Sequence, residues 1–523
     1  MAQKDASMNR FLTFLFWAAM MAAVVAQASP PAPDFMAQVH FAGAEQISAD
    51  TNAVAFTNLW CSPEMQALRE QTLNKLSRAP YNWFKQKILS GTNDGAGQLR
   101  PLLDDLLGAE WFLQIRDATN GAPEFALAIR LNAGRAQLWQ ANLKGVLEAW
   151  TGMSVAKTPN GWELKKHLPP NLIRFVRVGD WAVFGWGQDK LLLNDELVRR
   201  VLAEKRPAPA EKNDWLTADL DWPRLARWWP SLGAVGLPET QWQAVGRDGN
   251  LHVDGKLIFP RPLAMTLEKW RMPTNTIHEP IVSFTAVRGI GRWLERQCWA
   301  QPFKIQPPLN QFFIWAPPEI PFQTFAAVPV NNATNTIREL GKNLAAAFNT
   351  WLEQRTLGSI QPATNNTRID WRGLPPFVTP FVRAVREPAG DFLMAGLFPY
   401  WPDTNSPPPE LLHELSRTNL LYYHWEATAE RLLQVLNQSQ LGLMLAQQRQ
   451  LNIQSAAGKW LNHVRPALGS TVTEVTQTGP DELSFLRKAP GGLTAIELIA
   501  LANWLEATNF PVYDFHLPPR VEN

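Results

Sequence analysis

The chain is poor in cysteine, tyrosine and charge. Its 523 residues include two cysteines, five tyrosines and 18% charged residues, and 49 basic side chains nearly balance 47 acidic ones. A net charge of +2 argues against a nucleic-acid-binding protein, because such proteins need an excess of basic groups. The hydrophobic content of 46% is too high for a disordered chain. The composition therefore predicts a folded protein that needs no dense set of disulfides.

Histidine is also scarce, and the sequence lacks the usual metal motifs. No two histidines are spaced as i and i+4, and no H-E-x-x-H motif occurs. Asp214, Asp219 and Asp221 lie close together but lack the spacing of a calcium loop, so capping and turn roles are expected for them. We expect neither a metal nor another cofactor.

No convincing nucleophile motif is present. Ser154 and Lys157 match the S-x-x-K pattern of serine acyltransferases, in which both residues share one face of a helix. A turn signal, Pro159-Asn160-Gly161, follows almost at once, so these two residues are not expected to lie on one helix. The sequence assigns no catalytic residue.

Long apolar runs are absent after residue 28, whereas one stands before it. Lys4 and Arg10 precede the apolar segment 11–26, and Ala26-Gln27-Ala28 has the small-x-small pattern of a cleavage site. The pattern predicts a signal peptide at 1–28 and a periplasmic or secreted protein with no membrane span after its removal. The alternative is an anchor that is retained. In an oxidising compartment Cys61 and Cys298 could form a disulfide. The alternative is that they are two separate buried thiols.

Proline is abundant, with 42 residues, and two stretches resemble exposed linkers. They are 204–212, which is charged and rich in proline, and 360–367, which is polar. Together with the signal peptide they suggest two or three α+β domains, the division into three being at 29–206, 207–360 and 361–523.

Hairpin and helix signals alternate along the chain. Asp248-Gly249 within 242–259 predicts a tight hairpin, and 172–186 and 377–398 repeat the pattern. Helices are predicted at 62–77, 332–353, 429–448 and 493–507, the last with Thr494 and Glu497 at capping-box spacing. We therefore expect an α+β fold of antiparallel sheets covered by helices. Strand-to-helix units recur at 138–150, 215–228, 283–293 and 422–432, and this favours either a divergent duplication or repeated use of a common motif.

Tryptophan is the compositional outlier, with 24 residues. Most, such as Trp111, Trp181 and Trp504, lie in apolar patterns typical of a core. An exposed tryptophan can instead stack on a sugar or anchor a partner. The candidate binding residues are Trp222, Arg224, Arg227, Trp228 and Trp229.

The segments 489–505, 106–111 and 161–166 resemble a family of secreted bacterial proteins of unassigned function. The resemblance implies an exported protein and supplies no catalytic residue. We expect a non-catalytic envelope protein that binds a protein, a lipid-like molecule or a glycan. The alternative is a secreted hydrolase of an envelope or imported polymer, which would need a cleft with two nearby carboxylates or a Ser-His pair.

Overall fold

A computed structural model gives the fold of the chain. It describes residues 35–84, 94–118, 121–165, 172–188, 190–208, 214–229, 237–263, 265–295, 305, 307–319, 323–354, 358–362, 367–373, 379–398, 407–445, 454–508 and 510–511. Within these ranges lie 20 strands, joined by antiparallel ladders into one sheet with helices packed on it. The fold is therefore α+β, as the sequence predicts. No helix within these ranges has the length and apolar character to cross a membrane.

The first ten strands form one half of the sheet. Their ladders give the spatial order β4-β5-β6-β7-β3-β2-β1-β8-β9-β10. The strands are β1 Phe35–Phe41, β2 Trp111–Ala118, β3 Gly121–Arg130, β4 Ala156–Thr158, β5 Gly161–Lys165, β6 Leu172–Val178, β7 Trp181–Gly187, β8 Leu216–Asp221, β9 Glu239–Arg247 and β10 Asn250–Ile258.

The second ten strands repeat this order. They run β14-β15-β16-β17-β13-β12-β11-β18-β19-β20, so each strand has a counterpart ten places earlier along the chain. The counterparts β10 and β20 pair antiparallel and join the halves, as in a twofold dimer built around one ladder. The strands are β11 Ser283–Arg288, β12 Gln311–Ala316, β13 Phe325–Val330, β14 Ser359–Pro362, β15 Arg368–Arg372, β16 Phe381–Glu387, β17 Gly390–Gly396, β18 Leu420–Ala427, β19 Ser470–Gln477 and β20 Glu482–Ala489.

The helices occupy matching connections in the two halves, apart from the last one, which follows β20 and has no counterpart after β10 among the described residues. Those of the first half are α1 Ala44–Ala49, α2 Val54–Trp60, α3 Pro63–Phe84, α4 Ala96–Gly108, α5 Ala133–Thr151, α6 Leu192–Glu204 and α7 Trp222–Trp228. Those of the second half are α8 Gly291–Glu295, α9 Ala333–Gln354, α10 Pro409–Glu414, α11 Thr428–Leu445, α12 Ala456–Val464 and α13 Ala495–Glu506. Thus α5 and α9 both follow the third strand of their half, and α7 and α11 both follow the eighth.

Local sequence signals explain most of these elements. Asp248 and Gly249 adopt φ values of 52° and 72°, which a two-residue hairpin turn requires, and this confirms the hairpin of β9 and β10. The hairpins β6–β7 and β16–β17 are confirmed too. The predicted capping box forms, because Thr494 accepts from the backbone of Glu497 and the Glu497 carboxylate accepts in return from the backbone of Thr494. The helix predicted at 62–77 continues to Phe84.

Helices cover both faces of the sheet. In the first half α5 and α7 pack on one face, and α6 packs on the other. In the second half α9 lies on the face that corresponds to that of α5, and α10 lies on the opposite face. A separate helical core joins the halves, since Leu68 of α3 clusters with Leu432, Trp460 and Leu498 of α11, α12 and α13.

Along the chain, the first half of the sheet ends with β10 and the second half begins with β11. This boundary coincides with neither predicted linker. Residues 360–362 belong to β14 and pair with β15, so this part of the expected linker is a strand. The three-domain division itself stays a prediction. Two of the four recurring segments, 215–228 and 422–432, lie at matching strand-to-helix junctions, whereas 138–150 lies within α5.

Candidate ligand-binding site

An apolar cavity of about 690 Å³ lies between α9 and strands β14 to β17 in the second half. Leu344, Phe348 and Leu352 of α9 form its roof. Phe348 is 36% exposed, an unusual state for a large apolar side chain that faces the sheet. The volume lies within the range of roughly 300–1,000 Å³ that is usual for sites that bind small molecules.

Small side chains on the sheet create this cavity. In the first half a cross-strand row beneath α5 consists of Trp162, Phe175 and Phe184, and the rings of Trp162 and Phe175 stack with centroids 5.8 Å apart. A row beneath α9 consists of Ile369, Val382 and Ala395, and all three line the cavity. Counted from the two hairpin turns, its counterpart in the first half is Leu164, Ile173 and Trp186, two residues along each strand from the aromatic row. Three aromatic rings thus fill the space under one helix, and aliphatic groups leave it open under the other.

The cavity has polar groups at one end. Thr324 and Gln438 both line it, and Gln438 Nε2 donates to Thr324 Oγ1 at 2.8 Å. Arg431 Nη1 donates to the same oxygen at 3.2 Å. Since a hydroxyl oxygen has two lone pairs, these two donors occupy both of them and leave the Thr324 O–H to donate elsewhere. No acceptor for this proton is found among the described residues.

Arg431 belongs to a buried polar cluster beside the cavity. Its side chain is 7% exposed, and Nη1 also donates to Gln434 at 3.0 Å. Burial lowers the pKa of Arg431, and the opposite charge of Glu426 acts against this shift. Glu426, 1% exposed, accepts from the backbone N–H of Ala495 at the start of α13. The cluster therefore holds one buried cation and one buried carboxylate of opposite charge.

His424 extends the cluster along β18. Its Nδ1 lies 2.8 Å from Thr285 Oγ1 on the neighbouring strand. Its Nε2 lies 3.2 Å from Glu426 Oε2, although the two atoms are not aligned as a hydrogen bond. His424 is 9% exposed, in keeping with its place on a strand that has a neighbour on each side.

The matching region of the first half is apolar. The face of β8 towards α7 carries Leu216, Ala218 and Leu220, whereas the face of β18 towards α11 carries His424 and Glu426. The helices that follow these strands also differ. The first and fourth residues of α7 are Trp222 and Leu225, whereas those of α11 are Thr428 and Arg431. Burial of charge costs free energy that an apolar core avoids, so the second half has departed from the packing solution of the first at this place.

The tryptophans proposed as a binding surface lie mostly inside the protein. Trp222 and Trp229 are each 5% exposed, and Trp222 Nε1 donates to Thr240 Oγ1 at 2.8 Å. Trp228 packs against the same core and donates to Asp117 at 3.1 Å. These indoles are therefore core side chains and not an open stacking platform. The burial of Trp111, Trp181 and Trp504 agrees with the core role expected for them.

The two arginines of that group lie nearer the surface. Arg224 is half-buried and donates to the backbone oxygen of Phe35 at 3.0 Å, whereas Arg227 is exposed. A role for either one in binding stays a prediction.

Cys61 is exposed rather than buried, and it forms no disulfide with a described residue. Cys298 and the signal segment 1–28 lie outside the described residues, so the disulfide and the cleavage site stay predictions. Ser154 lies in a loop and Lys157 in β4, which confirms that they do not share a helix. Asp221 caps α7 by accepting from the backbone of Arg224, as the capping interpretation predicts. Within the described ranges no three His, Cys, Asp or Glu side chains gather as metal ligands.

A second, polar pocket of about 580 Å³ lies in the first half. Asp50, Asp214 and Trp215 line it, which are groups that a polysaccharide hydrolase could use. Asp50 accepts from Trp215 Nε1 at 3.0 Å, and Asp214 accepts from Gln243. Burial raises the pKa of Asp50, but hydrogen bonds from Asn52 and Trp215 outweigh it and lower the pKa overall. A lowered pKa suits a carboxylate that stays ionised and not a general acid, so Asp50 does not supply the acid that a hydrolase needs.

Comparisons of the chain with protein-family models, with curated proteins and with solved structures gave no match, so the cavity and its polar end have to be interpreted from their own chemistry.

Proposed function

We propose that the protein binds a lipid-like molecule in the cavity between α9 and β14 to β17. The observation that carries this proposal is the open apolar volume of about 690 Å³ beneath α9, whereas the sheet beneath α5 in the other half carries the rings of Phe175, Phe184 and Trp186. Apolar walls that stay in contact with water forgo the stabilisation of burial, about 25 cal/mol for each square ångström. A ligand that fills the space offsets this cost.

The composition of the walls selects the class of ligand. Twelve of the lining residues are apolar or glycine, and the polar ones are Thr324, Gln438 and Asp370. A glycan would leave many hydroxyl groups without partners against such walls, and this would oppose binding. A long hydrocarbon body with a small polar group suits the cavity better, so of the three ligand classes expected from the sequence we favour the lipid-like one.

Export from the cytoplasm is part of the same proposal. Its support is the pattern of Lys4, Arg10, the apolar run 11–26 and the Ala26-Gln27-Ala28 site. A protein of this kind would hold or carry a lipid-like molecule in the envelope without chemical change. Sequencing of the amino terminus of protein isolated from its host tests this part, and a chain that starts at Met1 would contradict cleavage.

Cavity-filling variants test the binding proposal. Val382→Phe and Ala395→Phe place rings into the cavity, and Ala395 occupies the position that Trp186 has in the first half. We expect each to weaken the binding of an apolar fluorescent dye at least tenfold, while thermal unfolding shows an intact fold. Val54→Phe, at a side chain that is 59% exposed, makes the same chemical change outside the cavity and should leave dye affinity unchanged. Equal dye affinity in all four proteins would contradict the proposal.

A further inference from the structure

The polar end of the cavity points to the group that the ligand carries. Thr324 Oγ1 accepts hydrogen bonds from Arg431 and Gln438, so its own proton is directed to a third partner. Thr324 lines the cavity, and no described residue accepts this proton. A hydroxyl that already accepts from a guanidinium is polarised and becomes a stronger donor. The cavity therefore presents one hydrogen-bond donor to an otherwise apolar ligand.

Charge balance limits the kind of acceptor. Arg431 is the buried cation behind Thr324, and Glu426 is the buried carboxylate that interacts with it. A ligand carboxylate would bring a second negative charge close to one already balanced pair, and its desolvation would cost free energy. A neutral carbonyl oxygen accepts the same hydrogen bond without this cost.

We infer that the ligand is a neutral acyl ester whose carbonyl oxygen accepts the Thr324 O–H, with the hydrocarbon chain in the cavity beneath α9. This inference rests on the proposed lipid-binding function and names its ligand class. The Arg431 and Gln438 side chains position the Thr324 hydroxyl, and the aliphatic row of Ile369, Val382 and Ala395 contacts the chain.

Displacement of a bound apolar dye from the full-length mature protein tests the inference. Three probes share a twelve-carbon chain, namely methyl dodecanoate, dodecanoate and dodecane. We expect wild-type protein to bind methyl dodecanoate more tightly than dodecanoate. Thr324→Val, which removes the hydroxyl but keeps the shape, should weaken ester binding about fivefold, as expected for one neutral hydrogen bond. Its dodecane affinity should not fall.

Thr324→Ser retains the hydroxyl and is the matched control. It should bind the ester within about twofold of wild type, and the three proteins should show the same cooperative thermal unfolding. Ester binding that is equally tight in wild type and Thr324→Val would overturn the inference, as would tighter binding of dodecanoate than of its ester. In both cases the dye still binds, so the proposed function survives. Failure of the dye itself to bind would instead contradict the proposed function.

Discussion

Trp242 and Phe485 meet across Gly255, with their ring centroids 6.1 Å apart. Gly255 lies between them in the sheet, paired with Trp242 on β9 and with Phe485 on β20. Because glycine has no side chain, the two rings contact each other above its backbone. This contact belongs to the ladder that joins the halves, so one glycine permits an aromatic pair to span the junction.

Gly255→Val should destabilise the junction. A Cβ at this position would lie 2.8 Å from the backbone oxygen of Gln241, and the side chain would separate the two rings. We expect a loss of about 2–4 kcal/mol in the free energy of unfolding, from overpacking and the lost aromatic pair. Urea unfolding measures it. Gly97→Ala in α4, where nothing lies within 4 Å of an added Cβ, serves as the control and should not destabilise.

The buried charges of the second half should depend on each other. Replacement of either Glu426 or Arg431 by leucine leaves the opposite charge buried, and we expect a loss of about 3 kcal/mol in each case. The double variant should recover a large part of the sum, because Leu220 and Leu225 show that leucines suit the corresponding faces of β8 and α7. Chemical denaturation of the four proteins in a double-mutant cycle gives the coupling. Additive losses would show that the two groups do not interact.

Protonation of Asp391 in acid should lower the free energy of unfolding. The backbone N–H of Ala333, at the start of α9, lowers the pKa of this carboxyl below its ordinary 3.8; burial opposes the shift, and Arg386 adds to it. A lowered pKa in the folded state means that the stabilisation is present above the ordinary value and is lost as the pH falls below it.

Asp391→Asn is therefore expected to cost about 1 kcal/mol at neutral pH, as for loss of a helix-capping carboxylate. The difference from wild type should shrink as the pH drops below 3.8, the ordinary value for this group. Thermal unfolding across the acid range measures it. Asp180→Asn, in the exposed turn between β6 and β7, is the control. A difference that stays constant with pH would contradict the role given to Asp391.

Truncation should affect the two halves unequally. Phe175→Ala removes a side chain that is 0% exposed and packed under α5, so we expect a loss of about 3–5 kcal/mol. Val382→Ala removes methyl groups that already face the cavity, so about 1 kcal/mol is expected. Unfolding in urea compares them. A loss for Val382→Ala as large as the usual core penalty would show that the space beneath α9 is filled.

Local structure could be predicted from the sequence where a few adjacent residues decide it. Asp248 and Gly249 favour the positive φ values of a tight turn, and Thr494 with Glu497 sets the start of α13. The order of the strands could not be predicted in this way. The partner of β10 is β20, more than 200 residues away, and no local pattern encodes a ladder between such distant strands. The duplication remained open for the same reason.

The candidate site could not be predicted because it is a cavity, and no sequence motif marks a cavity. Ile369, Val382 and Ala395 look like ordinary strand residues, and the small size of Ala395 matters only beside Trp186, its counterpart in the other half. The tryptophans drew attention instead, and Trp222 shows why this signal misleads: its ring fills the core, while its N–H finds an internal acceptor. Arg431, Gln434 and Gln438, three polar side chains spaced to share one face of α11, were the available clue.

The outermost strands bear on how copies of the protein meet one another. In the described part of the chain the sheet ends at β4, with three residues, and at β14, with four residues closed by Pro362. A short border strand exposes few free backbone groups, and proline supplies no N–H donor. Both borders are therefore poor templates for further strands, and this should keep so broad a sheet from growing into aggregates at high concentration.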